Sequence, residues 1–174
     1  MTIIKTKEFN LRHFKMSDAK GYFECQQDKE AKKGFMTVPS NIKDAEKEVK
    51  EIISQYRRKK PENEQFVIEI NNEFAGYVSI HDLNEKHFEH RAEIGYAIHP
   101  DFRGKGITTK AVKLITNYAF KKYNLKRMVG WCRTFNKASA RVLEKAGYKL
   151  EGILRKNKCR DGKYLDDMIW AKVK

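Results

Sequence analysis

The hexapeptide Arg103-Gly104-Lys105-Gly106-Ile107-Thr108 is the part of the chain whose residue types and spacing speak most directly of chemistry. An apolar run ends just before it and a helical repeat begins just after it. Such a turn leaves amide N–H groups unpaired at the positive end of a helix dipole, a ready site for an anion. Gly104 and Gly106 let the main chain bend sharply and be approached closely. The third glycine of a dinucleotide-binding G-x-G-x-x-G is missing, and the spacing is not that of a G-x-x-x-x-G-K-S/T phosphate loop. The same residues also make an ordinary glycine turn capping a helix. Further on, Asn136 stands where a strand gives way to a helix, so its amide can cap that helix or grip the amides of a ligand. Ser139 lies one turn into the same helix, where serine has no propensity advantage.

These residues need a frame, and the periodicity supplies one. Ile3 to Phe14 reads as one extended strand, followed by a helix opened by Ser17 and Asp18 and running to Gln27. Asp28 to Ser40 is irregular or a short helix. Ile42, Ala45, Val49, Ile52, Ile53 and Tyr56 then form one helical stripe behind the capping residue Asn41. The period changes to two for strands Gln65 to Ile70 and Phe74 to Leu83, joined at the turn Asn71-Asn72. A third strand, Arg91 to His99, carries Glu93 among apolar and aromatic neighbours and leads into the glycine turn. A helix from Ile107, a strand from Lys126 to Arg133 and a helix from Lys137 to Ala146 follow, the last closed by Gly147. Strands Tyr148 to Leu154 and Leu165 to Val173, joined through Asp161-Gly162, end the chain. The expectation is one mixed α/β domain over residues 1–174.

Composition bounds the partners. The chain has 174 residues, 40% apolar and 34% charged, with a net charge of +14. Residues 121–174 hold 16 basic and 5 acidic side chains, so most of the surplus sits in the last third. A nucleic acid, a membrane surface or a phosphorylated cofactor would each satisfy that charge. No apolar run is long enough to span a bilayer, and Met1 to Glu8 carries no hydrophobic signal region. Cys25, Cys132 and Cys159 have neither zinc-ligand nor disulfide-framework spacing and read as thiols of a reducing cytoplasm. The five histidines show no metal-site pattern, so no metal is expected.

Taken together, the two motifs resemble the GNAT acetyltransferases, and within them the RimJ/RimL-like branch that acetylates protein N-termini. Arg103 to Thr108 match the family's Q/R-x-x-G-x-G/A signature, with Thr108 in place of the small final residue. Asn136, Ser139, Glu144, Lys145, Gly147 and Tyr148 match its N-x-x-S/A-x-x-x-x-E-K-x-G-F/Y segment. The resemblance spans nearly the whole chain. It implies a mostly antiparallel twisted sheet with a splayed parallel strand pair, flanked by about four helices. It also implies acetyl-CoA as cofactor, its pyrophosphate on the amides of Arg103 to Thr108. Its pantetheine would lie along Ala97-Ile98-His99 and be reached by Asn136. Direct attack by an amine needs a base and a proton donor. Glu93 is the candidate base, and Ser139 the candidate donor or cofactor contact, because Leu143 stands where many members carry a tyrosine. Phe35, Met36 and Tyr164 are candidates for the acceptor side.

The resemblance leaves the acceptor open: a protein N-terminal α-amine, ribosomal-protein type, or a polyamine or other small amine. Glu24, Asp28, Glu30, Asp44, Glu46 and Glu48 around the first helices keep the polyamine reading alive. Ribosome association and a homodimer are further candidate partnerships, and no membrane partner is expected. A reading from another class is a basic RNA-binding module on a degenerate acetyltransferase fold. A shift in stability with acetyl-CoA but not with RNA separates the two.

Overall fold

Strands form where apolar residues alternate, and helices where they recur every three or four positions. The computed structural model describes residues 2–174. One eight-stranded sheet runs through it. Its strands are β1 (Thr2–Lys5), β2 (Asn10–Arg12), β3 (Glu64–Ile70), β4 (Glu73–His81), β5 (Arg91–Ile98), β6 (Arg127–Arg133), β7 (Lys149–Arg160) and β8 (Lys163–Val173). Their spatial order is β1-β2-β3-β4-β5-β6-β8-β7, antiparallel throughout except for β5 and β6. Five helices cover the sheet: α1 (Ala19–Gln27), α2 (Lys29–Gly34), α3 (Ile42–Gln55), α4 (Ile107–Lys122) and α5 (Lys137–Lys145).

The helices divide between the faces according to their apolar stripes. Ala111, Val112, Ile115 and Ala119 of α4 and Leu143 of α5 pack with Phe66, Ile68, Val78, Ile80 and Ile94 on one side. Ala19, Tyr22 and Cys25 of α1 and Ala45, Val49 and Ile52 of α3 pack with Val67, Tyr77 and Ala97 on the other. Adjacent strand residues therefore serve opposite layers, as the pleat requires. Ile94 and Tyr96 face α4 and α5, whereas Glu93, Gly95 and Ala97 face the α1 and α3 side.

Two segments differ from the periodicity reading, and a third settles one of its alternatives. Ile3 to Phe14 is not one strand: Thr6 reverses the chain by bonding the Phe9 carbonyl through both its amide (3.0 Å) and its hydroxyl (2.7 Å). Asp28 to Ser40 begins with α2, because the Asp28 carboxylate caps the amides of Glu30 and Ala31. The last hairpin is longer than expected. β7 continues to Arg160 through irregularities at Leu150/Gly152 and Leu154/Lys158, then turns tightly at Asp161 (φ 50°) and Gly162 (φ 73°). Its outer edge has no strand neighbour, and nearly all of its side chains are exposed.

Candidate active site

The parallel pair is short. Arg91 to Ile94 of β5 pair with Arg127 to Gly130 of β6, and beyond that point the two strands separate. β5 stays with β4 as far as Ile98, and β6 stays with β8 as far as Arg133. A slot therefore opens between Gly95–Ile98 and Trp131–Arg133, with an unpaired strand edge along β5. Free N–H and C=O groups along such an edge are completed by the amides of an extended ligand.

The glycine turn lies at the mouth of the slot. Gly104 and Gly106 have φ of +78° and +72°, a region most L side chains avoid, so glycine is favoured by backbone geometry. A Cβ at either position would meet no atom within 4 Å, so both glycines face open space. Gly106 precedes α4 and supplies no side-chain cap, which leaves the first amides of a 16-residue helix without intrahelical partners. This is the donor set a pyrophosphate requires. The Arg103 guanidinium is already engaged, because its Nη2 donates to Asp28 Oδ2 at 2.6 Å. The Arg103 bond holds the Asp28 carboxyl below its ordinary value. Lys105 Nζ donates to the Asp101 carbonyl (3.1 Å), and the His99 ring accepts from the Asp101 amide (3.4 Å). Ile107 is buried under the turn, and Thr108 follows it in the first turn of the helix.

Each face of the slot has its own polar group. On the α4 and α5 side, Asn136 Oδ1 accepts from the Ser139 amide (3.0 Å) and caps α5, while its Nδ2 points toward Gly34. Ser139 Oγ shares a 2.8 Å hydrogen bond with the Tyr96 hydroxyl, whose pKa is pushed above the ordinary phenol value by burial. Cys132 is buried in the same layer, and burial raises its thiol. On the α1 and α3 side, Glu93 Oε1 accepts from Trp131 Nε1 at 2.8 Å. Burial raises the Glu93 carboxyl above the usual range, against the pull of that hydrogen bond. Directly across from Glu93 on β4 is His81, bonded through Nε2 to Ser79 Oγ at 2.7 Å.

Beyond Trp131 on this face, the buried Arg133 guanidinium bonds Asp167 and places Nη2 2.9 Å from Met36 Sδ. Its Nε has no hydrogen-bond partner among the described residues. Phe35 packs against the α1 and α3 cluster, and Arg160 Nη1 donates to the carbonyls of Lys32 and Phe35, both at 2.9 Å. Tyr164 lies further out, 64% exposed, with Lys156 Nζ 5.5 Å from its ring centre.

The fold thus gathers Glu93, Ala97, Ile98, His99, the turn from Arg103 to Thr108, Asn136 and Ser139 around one slot. Met36 borders it through Arg133, Phe35 packs on the α1 and α3 side, and Tyr164 lies apart on the exposed end of the β7–β8 hairpin. Sequence reasoning missed Tyr96, Trp131, Arg133 and the Ser79–His81 pair. Tyr96 carried a usable signal, a hydroxyl at the end of the strand before the turn; the others depend on strand register. Leu143, at the position where a tyrosine donor would stand, fills the core above Gly130, where a Cβ would come within 2.5 Å of its Cδ2. Among the described residues, no cluster of His, Cys, Asp or Glu could hold a metal, and no helix is long and apolar enough to cross a membrane.

Residues 8–149 match the family model described as acetyltransferase (GNAT) domain. The uncharacterized N-acetyltransferase YoaA of Bacillus subtilis is 28% identical over 99% of this chain and 97% of its own. The spermidine N(1)-acetyltransferase of Escherichia coli K12 is 33% identical over 57% of this chain and 52% of its own. The structure of RimL, a ribosomal L7/L12 alpha-N-protein acetyltransferase in complex with coenzyme A, superposes with a TM-score of 0.85. It shares 24% identity and covers 99% of this chain and 98% of its own. An open helix start, an unpaired strand edge and a family match over most of its length agree: the chain belongs to the GNAT acetyltransferases and is an acetyl-CoA-dependent N-acetyltransferase.

Proposed function

We propose that the chain acetylates the α-amine of a peptide or protein N-terminus, of the ribosomal-protein type, by direct attack with both substrates bound. The observation that carries this reading is the charge around the acceptor side of the slot. Five of the carboxylates a polycation would need already have a partner in the protein, through a part-buried contact for Asp28 and Glu48 and with an exposed lysine for the other three. Asp28 is paired with Arg103, Glu30 with Lys33, Glu24 with Lys20 and Asp44 with Lys47, while Glu48 accepts from Tyr22. The charged groups that act on Glu93 are Asp82, Arg91 and Lys158, one acidic and two basic; further along the same face the Arg133–Asp167 pair is buried beside Met36, and Arg160 pins Phe35. A peptide N-terminus brings one ammonium for Glu93 and carbonyl oxygens for cationic donors. A polyamine brings only positive charge.

In this reading the amides of the turn from Arg103 to Thr108 hold the pyrophosphate. The edge Ala97-Ile98-His99 and Asn136 align the pantetheine arm, and Phe35, Met36 and Tyr164 border the acceptor. Acetyl-CoA supplies the activated acetyl group as a thioester. Glu93 takes a proton from the amine on one face of the sheet, while Ser139, backed by Tyr96, gives one to the departing sulfur on the other. A polyamine acceptor is the second reading, favoured by the likeness to the spermidine enzyme.

The deciding experiment follows thiol release from acetyl-CoA with N-terminal peptides, spermidine and an aminoglycoside. Peptides should exceed spermidine in kcat/KM by about tenfold or more, a preference of about 1.4 kcal/mol. A preference for spermidine overturns the peptide reading. Ribosome association belongs to the same proposal and is checked by co-sedimentation at rising salt. RNA binding without any acetyl-CoA turnover would instead favour the basic binding module.

A further inference from the structure

The geometry points to His81, held by Ser79, as a second proton acceptor of the acetyl transfer, working beside Glu93. The inference rests on the acceptor approaching from the Glu93 side of the slot, as proposed above. Three placements support it. His81 and Glu93 are register partners on adjacent antiparallel strands, so their side chains leave the same face as neighbours. The imidazole lies over Gly95, where a Cβ would stand 3.1 Å from its Nε2 and 2.6 Å from Ser79 Oγ. Gly95 is also the first residue of β5 beyond its pairing with β6, so the imidazole stands at the inner end of the slot. Any side chain at 95 would displace this pair, and the hydrogen bond to Ser79 orients the ring.

Proton counting gives the pair its task. An acceptor amine begins as an ammonium with three hydrogens on nitrogen and ends as an amide with one. The N–C bond forms and the C–S bond breaks, and of the two protons lost the departing sulfur takes only one. A second proton must reach the solvent, and a site with two adjacent acceptors can take one from the ammonium and one from the bond-forming nitrogen. Burial lowers the His81 pKa and so favours the neutral ring, the form with a free nitrogen lone pair, while Asp82 pulls the other way. The charged groups around it are Asp82 beside it on the chain, Glu93 opposite, and Arg91 and Lys158 acting on Glu93.

The test is the pH dependence of kcat for wild type, His81→Gln and Ser79→Ala, measured with the best amine from the acceptor screen. The range runs from about pH 6 to beyond the acceptor's own pKa, about 8 for a peptide α-amine. His81→Gln should lose about 100-fold at the acid end and recover to within about threefold of wild type once the amine is free in solution. The KM for acetyl-CoA should stay within about twofold. A loss that is the same at every pH would mean that His81 only fills space and would overturn the proposal, as would no loss. Should His81→Gln fail to fold, Ser79→Ala and wild type decide. Ser79→Ala should move the midpoint of the acid limb, and the wild-type midpoint should shift with temperature as an imidazole's does. A midpoint that neither variant nor temperature moves refutes the role. Should peptides fail and spermidine react, the acceptor assignment falls, and the same profiles taken with spermidine still decide the fate of His81.

Discussion

Replacing Gly106 by alanine separates two costs that the turn keeps apart. Gly106 holds φ at +72°, and a Cβ there meets no atom within 4 Å, so the substitution strains the backbone without a clash. Left-handed backbone at a non-glycine residue costs about 1–2 kcal/mol. In a chain of 174 residues that is a fall in Tm of about 4 °C. The new methyl group would stand in open space beside the first amides of α4, where the proposed site puts the pyrophosphate. Losing one charge-assisted amide bond costs about 1.5–3 kcal/mol, or about 10- to 100-fold in acetyl-CoA affinity. Gly106→Asn divides the two effects, because asparagine tolerates the left-handed region yet keeps the Cβ. The expected pattern is a lowered Tm and weak binding for alanine, with a near-normal Tm and weak binding for asparagine. Calorimetric titration with acetyl-CoA and a thermal melt measure both. Wild-type affinity in either variant would refute the placement of the pyrophosphate on this turn.

Other expectations follow from single contacts. Glu93→Gln should lower kcat by about 100-fold while changing the acetyl-CoA KM less than about twofold, as steady-state kinetics will show. Ser139→Ala and Tyr96→Phe should each slow turnover, and the double variant should lose less than the product of the two, because the hydroxyls share one 2.8 Å bond. Asp28→Ala removes both the α2 cap and the partner of Arg103 and should cost about 1 kcal/mol in denaturant unfolding. Buried Glu64 would be raised by desolvation, but hydrogen bonds from His13, Tyr123 and Lys122 overcome this and hold it down at about 2. Its contribution of about 3 kcal/mol is therefore complete above about pH 4.5 and is lost as pH falls toward 2; Glu64→Gln should flatten that part of the acid-unfolding curve.

What the sequence disclosed was what depends on neighbours in the chain. The glycine turn, the Asn71-Asn72 and Asp161-Gly162 reversals (each with positive φ), and the cap at Asn136 are all local. The splitting of the first strand escaped notice because Thr6 acts through its hydroxyl, a contact that apolar periodicity does not register. Contacts set by register were invisible. Tyr96 meets Ser139 across 43 positions and Arg103 meets Asp28 across 75. Ser79 and His81 sit at alternate positions of an apolar strand, and only the span of the loop after His81 decides that Glu93 falls opposite. Polar groups on different strands thus become neighbours through loop length, which residue type does not encode.

The long, uncovered edge of β7 gives part of the charge surplus in the last third of the chain a use. A bare strand of 12 residues is a template on which another chain can add, and Leu150, Ile153 and Leu154 along it are exposed. Lys149, Arg155, Lys156, Lys158 and Arg160 occupy the same strand, and the irregularity around Lys156, with φ at 52°, interrupts its hydrogen-bonding rhythm. A second copy laid against this edge would bring two rows of cations together on a kinked ladder. The hairpin thus stays available to solvent and to negatively charged surfaces while resisting lateral growth into fibres.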